Sequence, residues 1–112
     1  MLDRLRRLCK ALPEVRETRT FGNPTFQAGK QTFAVLDEYE GRRCIVFKAR
    51  GAVQRALCKT GAYFPSPFGA QHGWTGVFVR DDMDWDELER HLVQSYRLVA
   101  LKRMLAKLDA GG

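Results

Sequence analysis

The spacing of hydrophobic and polar positions changes along the chain, and each spacing predicts one kind of element. Over residues 2–12, leucines and Cys9 recur at helical intervals, so an amphipathic helix is predicted that ends at Pro13. Over residues 16–48, short alternating runs are separated by turn residues, which predicts a β-meander. Strands this close in sequence pair antiparallel. The predicted strands are residues 18–21, 25–28, 31–36 and 43–48.

Residues 51–60 return to helical spacing and predict a short helix, with Val53, Ala56 and Leu57 as its buried stripe. The segment that follows, residues 61–73, carries no charge and contains two prolines and three glycines. We expect it to be a loop that packs on another surface or binds a partner, because so apolar a loop is costly to expose. Its aromatic residues are Tyr63, Phe64 and Phe68.

Residues 74–80 predict a last strand, and residues 85–108 predict a long helix with Asp84 as its N-cap. The apolar positions of this helix change sides halfway along it. Its second half carries the C-terminal leucine stripe, which consists of Leu98, Leu101, Leu105 and Leu108. A straight helix on one sheet cannot bury both sides. Either the helix bends near residues 97–100, or the stripe meets another part of the protein or a second subunit.

These elements give one domain over residues 1–112, with five strands and three helices. A chain of this length buries about two-thirds of its unfolded surface, which is enough for one core. The predicted fold class is α+β, a two-layer sandwich in which an antiparallel five-stranded sheet packs against helices.

Charge is unevenly distributed along the chain. The net charge is +6, and the stretch from Gly41 to Arg80 contains no Asp or Glu. Six acidic residues then follow within residues 81–89, where they favour the start of a helix. The acid-free stretch is therefore a candidate anion-binding region, with solubility as the alternative explanation of its charge.

The sequence offers little catalytic or metal-binding chemistry. Its three cysteines have no CxxC spacing, which argues against a disulfide framework or structural zinc and favours a reducing, cytoplasmic location. No nucleophile elbow, zinc-protease or nucleotide-loop motif occurs, so we expect no enzyme, no cofactor, no metal site and no catalytic residues. The N-terminus lacks the apolar core of a signal peptide, and no apolar run reaches membrane-spanning length, so we expect no membrane association.

The stretch from Leu12 to Lys107 resembles the MmcQ/YjbR-like family in a series of short motifs. In order they are Phe21-Gly22-x-Pro24-Thr25-Phe26, Gly29-Lys30-x-x-Phe33-Ala34, a strand-closing Lys48, Ala62-Tyr63-Phe64-Pro65, a strand-opening Trp74 and Ser95-Tyr96-Arg97-Leu98-Val99. The resemblance implies a two-layer domain with the order helix, three strands, helix, two strands, helix. The fold is shared with secretion-chaperone-like domains and is similar to a double-wing DNA-binding domain, which is an argument by analogy. Many members carry a basic residue just before the tryptophan, where this chain has Gln71-His72-Gly73.

The first functional hypothesis is a DNA-binding protein that uses a basic patch on residues 42–80. Backbone N–H groups at a helix start favour a phosphate, and aromatic rings stack on bases. The candidate nucleic-acid-binding residues are Lys48, Arg50, Arg55, Lys59, His72 and Trp74. Structural alternatives are a core position for Trp74 and solvated charges for the others.

Two further hypotheses stay open. One is a non-enzymatic protein-interaction module that binds a protein partner or a second copy through the aromatic loop 61–73 and the C-terminal leucine stripe. The other is a small-molecule pocket beneath that loop, lined by Tyr63, Phe64 and His72.

Overall fold

The chain folds as one antiparallel sheet with helices packed on it, and the computed structural model describes residues 1–67 and 69–111. The helices are α1 (Leu2–Lys10), α2 (Gly51–Lys59), α3 (Trp85–Val99) and α4 (Lys102–Gly111). The strands are β1 (Val15–Thr20), β2 (Asn23–Ala28), β3 (Gln31–Tyr39), β4 (Arg42–Lys48), β5 (Tyr63–Pro65) and β6 (Trp74–Phe78). A 3₁₀ turn covers Ala70–His72. The α+β sandwich is confirmed.

The sheet has six strands among the described residues, in the order β1-β2-β3-β4-β6-β5, so the prediction of five strands was wrong. Four strands rather than three precede α2. The strand that the sequence missed is β5, which pairs antiparallel with β6. It is short and ends in Pro65. A proline is tolerated there because β5 is the edge strand, where one side of the backbone needs no partner.

The core lies between one face of the sheet and the helices α1, α3 and α4. Register places Leu36 of β3 opposite Ile45 of β4, and both side chains are buried on this face. The ring of Phe33 meets the edge of Tyr96 from α3, with centroids 5.6 Å apart. The Tyr96 hydroxyl donates to the carbonyl of Pro13 at 2.8 Å, which ties α3 to the end of the N-terminal segment. Tyr96 therefore has a structural role.

The long C-terminal helix breaks at Ala100, whose backbone is extended with ψ 150°. The prediction of a bend near residues 97–100 is confirmed. The break lets α4 turn its own apolar side to the core, so that Met104 is fully buried and Leu105 and Leu108 pack against the same cluster. Leu101 stays 46% exposed. Leu98 is also exposed, at 37%, so two of the four residues of the C-terminal leucine stripe, Leu105 and Leu108, pack within the chain.

The aromatic segment 61–73 is not a free loop. Tyr63 points to the helix side of β5, where its ring meets the edge of Phe47 with centroids 6.1 Å apart. Phe64 points to the opposite side and stacks on Phe78 at 4.7 Å. Because both rings pack within the sheet, they form no pocket with His72. The predicted contribution of Phe68 lies outside the described residues.

Helix α2 differs from its prediction in packing rather than in position. It lies beside β5, and none of its residues is fully buried. Val53 and Ala56, two members of the predicted stripe, are exposed, and Leu57 is half-buried. Across residues 1–67 and 69–111, helices are too short or too polar to cross a bilayer.

Candidate nucleic-acid interface

Three of the predicted site residues line one depression where β4 gives way to α2. Lys48 ends the strand, Arg50 caps the helix, and His72 comes from the 3₁₀ turn. The depression has a volume of about 360 Å³, and no acidic side chain from the described part of the chain lines it. We call it the cationic depression. Arg50 and His72 are exposed and Lys48 is half-buried, so a large anion can reach all three.

The first turn of α2 opens into the cationic depression with its backbone donors uncapped. Arg50 at the N-cap has extended backbone, φ −64° and ψ 150°, and no side chain caps the helix. The first N–H groups of a helix have no partner within it, and they carry the positive end of its dipole. Gly51 opens this turn and lines the depression. Oriented N–H groups and cationic side chains are therefore available to the same ligand.

Arg55 also reaches this end of the helix. A Cβ placed on Gly51 would lie 3.2 Å from Nη1 of Arg55, so the guanidinium folds back over the first turn. Spacing alone would place Arg55 on the next turn, where it shares a helix face with Lys59. Arg55 therefore lies beside Gly51, at the helix start that opens into the cationic depression, although it does not line the depression itself.

The two walls of the depression are fixed to each other by backbone and amide hydrogen bonds. The amide of Ala49 donates to the carbonyl of Gly73 at 2.9 Å. The Gln54 side-chain amide donates to the carbonyls of Ala70 and Trp74 at 3.2 Å and 3.1 Å. Gly73 has a φ of 91°, and a Cβ there would lie 2.2 Å from the carbonyl oxygen of Ala49. Only glycine lets the two segments approach this closely, which brings His72 to α2.

Four cations of the predicted site carry charge that no carboxylate pairs. Some cations elsewhere are paired, since Arg6 donates to Glu17 at 2.8 Å and Arg97 pairs with Asp109 at 2.7 Å. In the part of the chain that the structure describes, the four cations make no salt bridge. They are Lys48, Arg50, Arg55 and Lys59. Their charge is available to a ligand because no carboxylate neutralises it.

Besides Arg55, two predicted site residues do not line the cationic depression. Lys59 ends α2, and eight residues of helical rise put it about 12 Å along the axis from Gly51. Trp74 is half-buried, so it is not a core residue, and it lines a different concavity. Lys48 and Arg50 lie together at the strand-to-helix junction, as their spacing predicts, because a strand end and the following helix start are neighbours in any fold. The convergence of His72 depends on the Gly73–Ala49 contact and has no local sequence signal.

The second concavity, which we call the sheet groove, lies on the face of the sheet opposite the helices. Val35 and Val46, paired across β3 and β4, form its floor, and Trp74 and Phe21 stand at its sides. Its volume is about 480 Å³. Phe21, at the tip of the β1–β2 turn, is fully exposed. Asp37 is the one ionisable side chain among the described residues of its lining.

The sequence analysis missed the sheet groove because the third predicted strand ended at residue 36, which left Asp37 outside the sheet. In the structure β3 continues to Tyr39, so Asp37 is a strand residue on the groove face. Its Oδ1 accepts two hydrogen bonds, from the Asn23 side-chain amide at 3.0 Å and from the Glu38 backbone at 2.7 Å. Across the described residues Oδ2 accepts none.

The thiols and the buried histidine are poorly suited to catalysis. Burial raises the pKa of Cys44 to about 11, and it raises the pKa of Cys9 as well, so both thiols are protonated at neutral pH. His91 stacks on Phe47 with centroids 5.2 Å apart, and burial lowers its pKa. No three His, Cys, Asp or Glu side chains of residues 1–67 and 69–111 are grouped so that they could hold a metal.

Comparison with known proteins identifies the fold. A family model described as YjbR matches residues 10–98. The crystal structure of the Deinococcus radiodurans protein DR2400, whose domain is described as DUF419, superposes with a TM-score of 0.79 at 21% identity. The alignment covers 97% of this chain and 88% of that chain. No curated protein matches the sequence. At this identity the structural likeness supports the fold alone.

Proposed function

The chain belongs to the YjbR family, and we propose that it binds DNA by holding backbone phosphates in the cationic depression. The observation that carries the proposal is the convergence of Lys48, Arg50 and Arg55, free of carboxylate partners in the described structure, on an uncapped helix start. Phosphate is the ligand whose charge and oxygens match that set of donors. His72 adds a ring donor at the rim.

The proposal concerns the phosphate backbone and implies no sequence preference. Contacts to phosphates position a protein on nucleic acid, whereas base contacts provide specificity. Three cations neutralise about three phosphates, so the slope of log affinity against log salt is about −2.7 for duplex and about −2.1 for single strands. Between 50 and 200 mM salt, affinity should therefore fall roughly 40-fold for duplex and roughly 20-fold for single strands.

Fluorescence anisotropy with labelled duplex and single-stranded oligonucleotides over that salt range tests the proposal. Removing two cations in Lys48→Ala/Arg55→Ala should weaken binding and reduce the slope by about 1.4–1.8, because two fewer counterions are released. A matched control is Lys30→Ala/Lys102→Ala, which loses the same charge at exposed positions outside the cationic depression. The control should keep most of the wild-type slope. Equal losses in both variants, or no binding at the lowest salt, would refute the proposal.

The protein-interaction hypothesis is less favoured by the structure. Its two features were the aromatic segment and the C-terminal leucine stripe. Tyr63 and Phe64 pack inside the sheet, and Leu105 and Leu108 pack on the core. These four residues are half-buried, whereas Leu98 and Leu101 of the stripe stay exposed. A protein partner therefore stays a prediction, with these two leucines as its remaining surface.

A further inference from the structure

We propose that the sheet groove binds a planar nitrogen heterocycle that presents an N–H donor at its edge, as a nucleobase does. When the base belongs to a strand, its neighbouring phosphate occupies the cationic depression. The placement of the phosphate rests on the proposed function. Together, the base in the groove and the phosphate in the depression make unpaired nucleic acid the ligand class.

The shape and lining of the groove suit a flat ring. A volume of about 480 Å³ is within the range of small-molecule pockets, roughly 300–1,000 Å³. The floor of Val35 and Val46 is apolar, and the indole of Trp74 supplies an aromatic wall on which a base can stack. The indole is held in place from behind. A Cβ on Gly69 would lie 2.4 Å from Cδ1 of Trp74, so the backbone of Gly69 packs directly against the indole.

Asp37 gives the groove its polarity. A carboxylate only accepts hydrogen bonds, and Oδ1 is already held by Asn23 and by the Glu38 backbone. Oδ2 accepts from no described protein group and is therefore free for a ligand N–H. No cationic side chain of the described residues lines the groove, so an anionic ring has no partner there. The free carboxylate oxygen is an acceptor, so it selects a neutral or cationic ring with an N–H at its edge.

The groove and the cationic depression share one segment of chain. Gly69 and Trp74 line the groove. The residues between these two in sequence, Ala70–Gly73, line the depression. Trp74 is also the register partner of Lys48 across β4 and β6. Directly paired residues are neighbours across the sheet, so a base stacked on Trp74 and a phosphate beside Lys48 would lie close together. In a duplex the base edges are paired and stacked, so only an unpaired strand or a free nucleoside presents its edge to Asp37.

The first test measures free nucleosides. In a Trp85→Phe background Trp74 is the remaining tryptophan, so its fluorescence reports occupancy of the groove. Adenosine, which has an amino donor, should quench it and bind about tenfold more tightly than purine riboside, which has no donor on that edge. Asp37→Asn keeps an oxygen for Asn23 and Glu38 but replaces the free acceptor with a donor, so the tenfold preference should disappear. The control Glu38→Gln changes an exposed neighbour of Asp37 and should keep the tenfold preference for adenosine. A thermal melt confirms that each variant is folded.

The second test separates this inference from the proposed function. Anisotropy is measured for single-stranded oligonucleotides of equal length that carry adenine, unsubstituted purine or no base. Tighter binding of the adenine strand, lost in Asp37→Asn, supports the inference. Equal, salt-dependent binding of all three strands overturns it and leaves phosphate binding intact. Quenching by adenosine without binding of any strand overturns the proposed function and makes free nucleosides the ligand. No response to adenosine or to any strand overturns both.

Discussion

Ser95 is predicted to hold the end of β4, and with it Lys48, in place. Its side chain is fully buried. Its hydroxyl accepts from the Lys48 amide at 2.8 Å and donates to the Phe33 carbonyl at 2.6 Å. The β3–β4 ladder ends at Ala34–Phe47, and Phe33–Lys48 would be the next pair in that register. The Ser95 hydroxyl from α3 therefore takes the place of a direct strand-to-strand hydrogen bond.

Ser95→Ala leaves the Lys48 amide and the Phe33 carbonyl without their partner. Each unsatisfied buried group costs about 1–3 kcal/mol. The ends of β3 and β4 can partly close the space that the hydroxyl leaves. We therefore expect the free energy of unfolding to fall by about 2–4 kcal/mol, less than the largest combined cost of the two unsatisfied groups. For a chain of this length that corresponds to a fall in Tm of about 8–16 °C.

Urea denaturation and thermal melts followed by circular dichroism measure this loss. The denaturant slope should not change, because the variant exposes the same surface on unfolding. Gln94→Ala is the control on the same helix. Because Gln94 is exposed, this substitution should change the free energy of unfolding by no more than about 0.5 kcal/mol. A Ser95→Ala variant with stability equal to that of the control would refute the reasoning, because the hydroxyl would then contribute no net bonding.

Three other predictions follow from the same structure. Gly73→Ala should lower Tm in thermal melts and weaken oligonucleotide binding in anisotropy. The reason is that the added Cβ would lie 2.2 Å from the Ala49 carbonyl oxygen, at a φ of 91°. Unchanged binding would contradict this prediction. The pKa of Glu14 is lowered to about 2 by hydrogen bonds from two cations of α4. Glu14 therefore stabilises the fold above its unfolded pKa of about 4.5 and loses that effect as pH falls towards 2. Melts of Glu14→Gln should show a lower Tm than wild type at pH 7 and the same Tm near pH 2; a constant difference would contradict this. Cys58 is partly exposed and the other two thiols are buried, so a disulfide reagent should modify one thiol in the native protein and three in denaturant.

The sequence pattern predicted elements well where local spacing determines them. The N-terminal helix, the meander, α2 and the break near Ala100 lie close to their predicted places, because helical and strand periodicity act over a few residues. β5 was missed for a physical reason. Its three residues include Pro65, and a run this short with a proline resembles a loop unless a neighbouring strand is known to pair with it.

The candidate site was predictable only in its first part. Lys48 and Arg50 flank a strand-to-helix junction, which a sequence pattern can locate. The fold-back of Arg55, the approach of His72 and the position of Asp37 on the groove face depend on contacts between segments far apart in sequence. The burial of α2 was overestimated because α2 lies at the edge of the sheet, where it packs beside β5 and exposes Val53.

The most direct test of the central claim is to locate the bound phosphate backbone by ¹H–¹⁵N NMR. A short single-stranded oligonucleotide is titrated into the labelled protein at low salt, and the backbone amides are followed. If the cationic depression holds the phosphates, the largest shifts will occur at the first turn of α2, Gly51–Val53, and at Gly73, and they will be lost in Lys48→Ala/Arg55→Ala. Shifts confined to the basic faces of α1 and α4, or the same shifts in that variant, would contradict it.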